Sequence, residues 1–252
     1  MRIVFIALAL FLGMNVQAQK KDSARSEAKV PRNWNDFDFK NRANDHLMMQ
    51  FGYEGWSGTP DSIRTKGIGR FFNVYAMYDM PFKTNPHWSV AIGAGVGTSN
   101  IYFDKMVVDI VPNTGQAQVV FEDRADSTYF KKFKLTTAFA ELPVELRWVS
   151  DPFNTNKSFK IALGAKVGTM VSATAKGKNL VRSAGETSIH GAKYIMKEKE
   201  RSYFNGTKLG ATLRVGYGAF SLYGQYNVMP VFKEGQGPEI RSYNLGLVIS
   251  GL

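Results

Sequence analysis

The chain has 252 residues, carries a formal net charge of +11 and contains no cysteine. The missing cysteine excludes disulfide stapling, thiolate metal sites, thiol catalysis and lipid attachment at an N-terminal cysteine. The basic balance invites nucleic acid as a partner. The lysines and arginines are nonetheless dispersed, and no helix-turn-helix, zinc-finger or RRM pattern accompanies them, so nucleic acid is set aside in favour of anionic lipid headgroups or saccharide.

In chain order, residues 1–18 read as a signal peptide. Arg2 supplies the basic start, Ile3 to Leu12 the apolar core, and Val16-Gln17-Ala18 the small-residue cleavage pattern. That apolar run, about ten residues, is half of what a membrane-spanning helix needs, and no later stretch is long and apolar enough either. Residues 19–45 are polar, charged and without periodicity, which predicts a loosely held leader. Trp34, Phe37 and Phe39 are its sizeable apolar groups and are expected to pack at a rim.

From His46 onward the chain alternates apolar and polar residues, the signature of strands with one apolar face. The first strand, about 46–56, sets Leu47, Met49, Phe51 and Tyr53 against Met48, Gln50, Gly52 and Glu54. The second, about 68–80, sets Phe72, Val74, Ala76 and Tyr78 against Phe71, Asn73, Tyr75 and Asp79. In the third, Trp88, Val90, Ile92, Ala94 and Val96 oppose Ser89, Ala91, Gly93, Gly95 and Gly97. Three glycines on one face weaken a strand unless they make room for bulky neighbours across a narrow lumen, or mark a bulge or a close backbone approach.

The fourth strand, about 134–150, sets Ala140, Leu142, Val144, Leu146 and Trp148 against Phe139, Glu141, Pro143, Glu145 and Arg147. Pro143 lacks a ladder donor and is expected at a bulge or local break. The fifth, about 158–173, opposes Phe159, Ile161, Leu163, Ala165 and Val167 to Lys160, Gly164, Lys166 and Gly168. The sixth, about 207–217, opposes Leu209, Ala211, Leu213, Val215 and Tyr217 to Gly210, Thr212, Arg214 and Gly216. Two more strands cover about 220–229 and 239–252.

Connections after the second, fourth and sixth strands are about seven, eight and two residues; those after the first, third, fifth and seventh are about eleven, 31, 33 and nine. Segregation of long loops to one end is a property of outer-membrane barrels, whose periplasmic turns are short and extracellular loops long. The expected fold is therefore all-β: an eight-stranded antiparallel up-and-down transmembrane β-barrel over residues 46–252, in the outer membrane. Trp56, Tyr102, Trp88, Trp148, Phe159 and Phe220 lie near strand ends, where interfacial aromatic girdles form.

Residues 139–148, Phe-Ala-Glu-Leu-Pro-Val-Glu-Leu-Arg-Trp, resemble the aromatic-x-Glu-Ile/Leu-Pro-Leu/Val strand of the PorT-like outer-membrane β-barrel proteins typical of Bacteroidetes. Ala91-Ile92-Gly93-Ala94-Gly95 and the glycine-rich fifth and sixth strands are similar too, and the resemblance spans about residues 46–252. It implies the barrel fold; some named members serve secretion and gliding machinery. The final strand, with Tyr243, Leu245, Leu247 and Ile249 alternating outward, resembles the signal read by the outer-membrane insertion machinery, although that signal usually ends on an aromatic residue and this chain ends Gly251-Leu252.

Eight strands enclose only enough space for side chains to fill, so charges on the lumen face must pair. Glu141 and Glu145 are expected to meet Arg147, Arg214 or Lys166 in a structural network, with Glu54, Asp79 and Lys160 also on lumen positions. An enzyme reading, lipid hydrolase or acyltransferase, would need a histidine base; His190 lies near Ser183, Glu186 and Ser188, whereas His46 and His87 sit at strand or turn positions. A narrow solute pore is the other alternative. The favoured reading is non-enzymatic, with no cofactor and no metal. The long outer connections carry it: 174–205, basic through Lys176, Lys178, Arg182 and Lys193, would meet lipopolysaccharide, outer-membrane lipid or an envelope protein partner. The acidic Asp104, Glu122, Asp123 and Asp126 match no cation-loop spacing and read as solvated surface.

Overall fold

A computed structural model describes residues 46–111, 117–184 and 187–251. The expected signal peptide and leader, with Trp34, Phe37 and Phe39, lie outside the described residues, as does Glu186. Among the described residues eleven strands are formed: β1 (Leu47–Ser57), β2 (Arg70–Pro81), β3 (Trp88–Phe103), β4 (Met106–Asp109), β5 (Val120–Asp123), β6 (Thr128–Val149), β7 (Phe159–Arg182), β8 (Ile195–Lys199), β9 (Thr207–Tyr217), β10 (Phe220–Asn227) and β11 (Arg241–Ser250). Eight of them close a barrel in the order β1-β2-β3-β6-β7-β9-β10-β11, each antiparallel to its neighbours, with β11 pairing back onto β1. Closure leaves these strands no free edge in the wall, the condition for crossing lipid with strands.

The alternation that marks the strands sorts the wall into two faces. Phe72, Ile92, Val96, Leu142, Leu163, Leu213, Leu222 and Leu245 are exposed on the outside, whereas Gln50, Asn73, Glu141, Glu145, Lys166 and Arg214 are buried inside. This is the reverse of a soluble ligand-carrying barrel and is stable only where lipid covers the outer face. Trp88, Phe159, Tyr217 and Phe220 are exposed together at one end, forming an aromatic girdle. Trp56 does not join the girdle at the other end. Its parity matches Glu54, so it points inward and meets Phe103 and Phe232 edge-on, at ring-centroid distances of 5.7 and 6.2 Å.

The short connections 82–87, 150–158 and 218–219 share one end, and the long ones 58–69, 104–127, 183–206 and 228–240 share the other. The two longest are more ordered than loops. β4 and β5 form a hairpin between β3 and β6. β6 and β7 stay paired from Val149↔Lys160 up to Thr128↔Arg182, far above the other strands. β7 pairs with β9 along Phe159–Thr169 and with β8 along Thr174–Lys178, so a three-stranded flap, β6-β7-β8, extends the wall.

Two irregularities matter. Pro143 pairs with Lys166 on the β7 side, but the β3 ladder skips from Ile92↔Val144 to Gly95↔Glu141 without losing register. The missing proline donor thus makes a local break and no bulge. The bulge lies elsewhere: Ala138 pairs with Ser172 and Phe139 with Met170, leaving Val171 as the extra residue of β7. The glycines of β3 keep an unbroken register with β2 and clear space for neighbours. A Cβ on Gly95 would lie 2.7 Å from the Tyr75 ring, and one on Gly97 would lie 2.7 Å from Glu141 Oε2 and 2.8 Å from Asn73 Oδ1.

Candidate functional site

Inward-facing positions of β2, β3, β6, β9 and β11 build the lower lumen, near the short-turn end. Glu145 sits between two arginines: Arg147 Nε donates to Glu145 Oε2 at 2.8 Å, and Arg214 Nη2 donates to the same oxygen at 3.0 Å. Arg147 also stands 3.5 Å from Asp79, which accepts from Ser89 at 2.8 Å, and Arg214 Nη1 donates to Ser250 at 3.2 Å. All three members of the Arg–Glu–Arg triad are buried. Planar guanidiniums suit one carboxylate approached from two sides.

One layer higher, Lys166 is fully enclosed. Its Nζ donates to Tyr75 Oη at 2.7 Å and to Tyr223 Oη and Gln225 Oε1 at 3.0 Å; it lies 3.4 Å from both Gln50 Oε1 and Glu141 Oε2. The Tyr75 hydroxyl donates to that same Glu141 oxygen, and Lys208 Nζ stands 3.2 Å from Oε1. Tyr75 and Tyr223 also present their ring faces to the ammonium at 4.8 and 5.4 Å, a contact that strengthens when desolvated. Lys166 and Glu141 thus neutralise one another inside a shell of hydroxyls and amides, the condition under which buried charge persists.

The structure brings together Glu145, Arg147 and Arg214 in one layer and Glu141 with Lys166 in the next. The partners Tyr75, Tyr223, Gln50, Gln225 and Lys208 carry no individual signal in the sequence. Their lumen parity was readable, but their mutual distance depends on inter-strand register.

The upper lumen is apolar. Ile101, Phe103, Met106, Val108, Ile110, Phe133, Leu135, Met170, Phe204, Phe232 and Ile240 form one buried cluster with Trp56, Phe121 and Met196 against it. Residues from β4 and from the connections 183–206 and 228–240 supply much of it, so the long connections fold into the mouth as a plug. Backbone bonds secure them: Val119 N–H donates to Gln236 O at 2.9 Å and Asn205 N–H to Val231 O at 2.9 Å. Between plug and charge layers, a cavity of about 30 Å³ is lined by Glu54, Ser99, Thr137 and Lys208 among others. That is room for two or three waters, since a single water needs about 10–15 Å³ by this measure.

Of the four basic residues expected in a loop, three lie in a strand and one, Lys193, in an exposed turn. Lys176 and Lys178 belong to β7 within the flap, Arg182 is the last residue of β7, and Lys193 is exposed in the turn before β8. Lys132 and Lys134 on β6 and Lys197 and Lys199 on β8 lie beside Lys176 and Lys178.

Among the described residues the histidine reading finds no assembled site. His190 is exposed and its ring lies tilted against Tyr194, with ring centroids 4.8 Å apart. Ser183 donates to Ala125 O at 2.5 Å and Ser188 to Asn179 Oδ1 at 2.7 Å, neither to the imidazole. His87 Nδ1 meets Val149 O at 2.9 Å, a turn-fixing contact. Three members of the acidic cluster are ion-paired: Asp123 with Arg64 at 2.5 Å, Asp104 with Lys66 at 2.7 Å, and Glu122 with Arg124.

Comparison with known proteins gives a family match. The model of the family described as "Outer membrane protein beta-barrel domain" matches residues 17–233. No curated protein matches the chain. Among solved structures, a mutant of the Rh. blastica porin is 9% identical over 81% of this chain and 99% of that chain, with a TM-score of 0.20. A structure described as "Asymmetric conductivity of engineered proteins" is 8% identical over the same shares, also at 0.20.

Proposed function

Because the chain belongs to the outer membrane protein beta-barrel domain family and lies in the outer membrane, we propose that it is a non-conducting, non-enzymatic barrel whose long-loop end faces outward and binds envelope saccharide or a partner. The observation that carries this reading is the filled lumen: two charge layers, a cavity of about 30 Å³ and an apolar plug follow one another along the axis. Solute flow needs continuous water, and water-filled channels belong to barrels of about 16 strands. The finer PorT-like assignment rests on the strand at 139–148 and gives no process of its own.

Planar-bilayer recording on the refolded chain tests the proposal. It should show no discrete current steps, and reproducible steps would refute it. The enzyme alternative has a separate check. His190→Ala should leave any lipid turnover by the purified protein unchanged, and a histidine-dependent activity would restore that alternative.

A further inference from the structure

The outer face of the flap is one basic surface built by strand register. Lys132 of β6 stands directly opposite Lys178 of β7, and Lys134 opposite Lys176; Lys176 in turn stands opposite Lys197 of β8, with Lys199 opposite Thr174. Three cross-strand pairs are therefore lysine against lysine. Like charges directly opposite one another destabilise a sheet, so the arrangement works against the fold. Relief from within is absent: among the described residues, none of these six lysines is ion-paired. Glu198 of β8 has the opposite parity, beside Ala175 on the inner face. Lys134 donates to Asn100 Oδ1 at 2.6 Å, a neutral partner that fixes its position and leaves its charge.

The height of the surface selects the counter-charge. Below it, β7 shows lipid the exposed Phe159, Ile161, Leu163, Val167 and Val171. Thr174, opposite Lys199, and Lys176 follow Val171 by three and five residues. At about 3.3 Å per residue and a tilt of about 40°, they rise roughly 8 and 13 Å above it. That is the headgroup layer, and a lysine stem spans the remaining gap by snorkelling. Exposed Ile195 shares the face beside Lys178, giving an amphipathic border between charge and acyl chain.

We infer that this lysine ladder grips the phosphate groups of an anionic glycolipid headgroup in the outer leaflet. The inference rests on the outward orientation of the long-loop end. It specifies the ligand chemistry of that end as phosphate presented by a lipid.

The test uses the full mature chain refolded into phosphatidylcholine nanodiscs. Titrations compare bis-phosphorylated lipid A, the same lipid A stripped of both phosphates, and soluble inositol hexakisphosphate. The bis-phosphorylated lipid should bind at least tenfold more tightly than either comparator. Replacing all six residues, Lys132→Gln, Lys134→Gln, Lys176→Gln, Lys178→Gln, Lys197→Gln and Lys199→Gln, should abolish that preference while the unboiled band still migrates as folded barrel. Lys83→Gln with Lys157→Gln, at the short-turn end, should keep it. Equal binding of the phosphorylated and stripped lipids, or retention of the preference by the sixfold variant, overturns the inference. Equal binding of the soluble polyphosphate overturns the lipid assignment.

Orientation is read separately. The chain has no cysteine, so Lys197→Cys supplies a single thiol for an impermeant maleimide on intact cells. Labelling supports the outward flap whatever the titrations give. Protection of that thiol in cells whose purified protein reacts fully would overturn the orientation on which both readings stand.

Discussion

Glu145→Gln removes the negative charge that two buried arginines share while keeping the shape of the side chain. In the folded barrel Glu145, Arg147 and Arg214 are 4%, 6% and 2% exposed at their side chains, and both bonds to Oε2 are short, 2.8 and 3.0 Å. Arg147 keeps Asp79 at 3.5 Å, and Arg214 keeps Ser250 at 3.2 Å, a neutral hydroxyl. Removing one partner of a buried pair costs about 3–5 kcal/mol, because an uncompensated charge stays in a low-dielectric site. An exposed pair of similar length costs about 0–1 kcal/mol; Arg64–Asp123, half exposed on both sides, is the internal control through Arg64→Ala. Urea unfolding in lipid vesicles, followed by tryptophan fluorescence and by the heat-modifiable gel shift, measures both. The double variant Glu145→Gln with Arg214→Gln should recover part of the loss, with a coupling of about 0.5–3 kcal/mol. A cost for Glu145→Gln no larger than that of Arg64→Ala would refute the view that the triad is a desolvated unit.

Three further outcomes are expected. Phe232→Ala empties the centre of the plug, where the ring meets Trp56, Phe121 and Phe204; it should cost about 3–5 kcal/mol and open 183–206 and 228–240 to protease. Unchanged cleavage would argue against a packed plug. Gly97→Ala would drive a Cβ into Glu141 and Asn73 and should cost about 1–3 kcal/mol, whereas Gly224→Ala meets only Leu245 at 3.8 Å and should be near neutral; urea midpoints that fail to separate the two would refute the crowding. The Ala125 N–H and the Arg64 guanidinium hold the Asp123 carboxyl below the usual aspartate range. Its contribution to the turn between β5 and β6 is thus present above the ordinary carboxylate pKa and lost as pH falls through the depressed value. Amide exchange at Ala125 should quicken only in that acid window, and Arg64→Ala should move the window upward.

The barrel was legible in the sequence wherever lipid imposes strict alternation, as from Trp88 to Val96 in β3 or from Phe139 to Trp148 in β6. Above the apolar band that constraint ends, and so does the signal. Tyr129 and Phe130 are both buried although adjacent, and Lys131 and Lys132 both exposed, so the upper part of β6 reads as loop. β4 and β5 have four residues each and β8 five, too short for a period to emerge. Trp56 was misplaced at a girdle because proximity to a strand end outweighed its inward parity. The lumen partners followed from parity plus the need of buried charge for counter-charge. The lysine ladder did not, because which lysines face one another depends on how β6, β7 and β8 slide, and no residue of those strands announces that register alone.

The single extra residue at Val171 acts as a reading-frame shift for polarity. Below it, the even-numbered residues of β7 face the lumen, Lys160, Lys166 and Met170 among them; above it, the odd-numbered Ala173, Ala175 and Val181 are the buried ones. Lys166 and Lys176 share a parity, yet one is fully enclosed and the other looks outward. In an unshifted frame, Lys176 and Lys178 would enter the space beside Phe133 and Leu135, where an ammonium finds no partner. One strand can therefore carry cations to two opposite destinations, interior and surface, with one inserted residue deciding which.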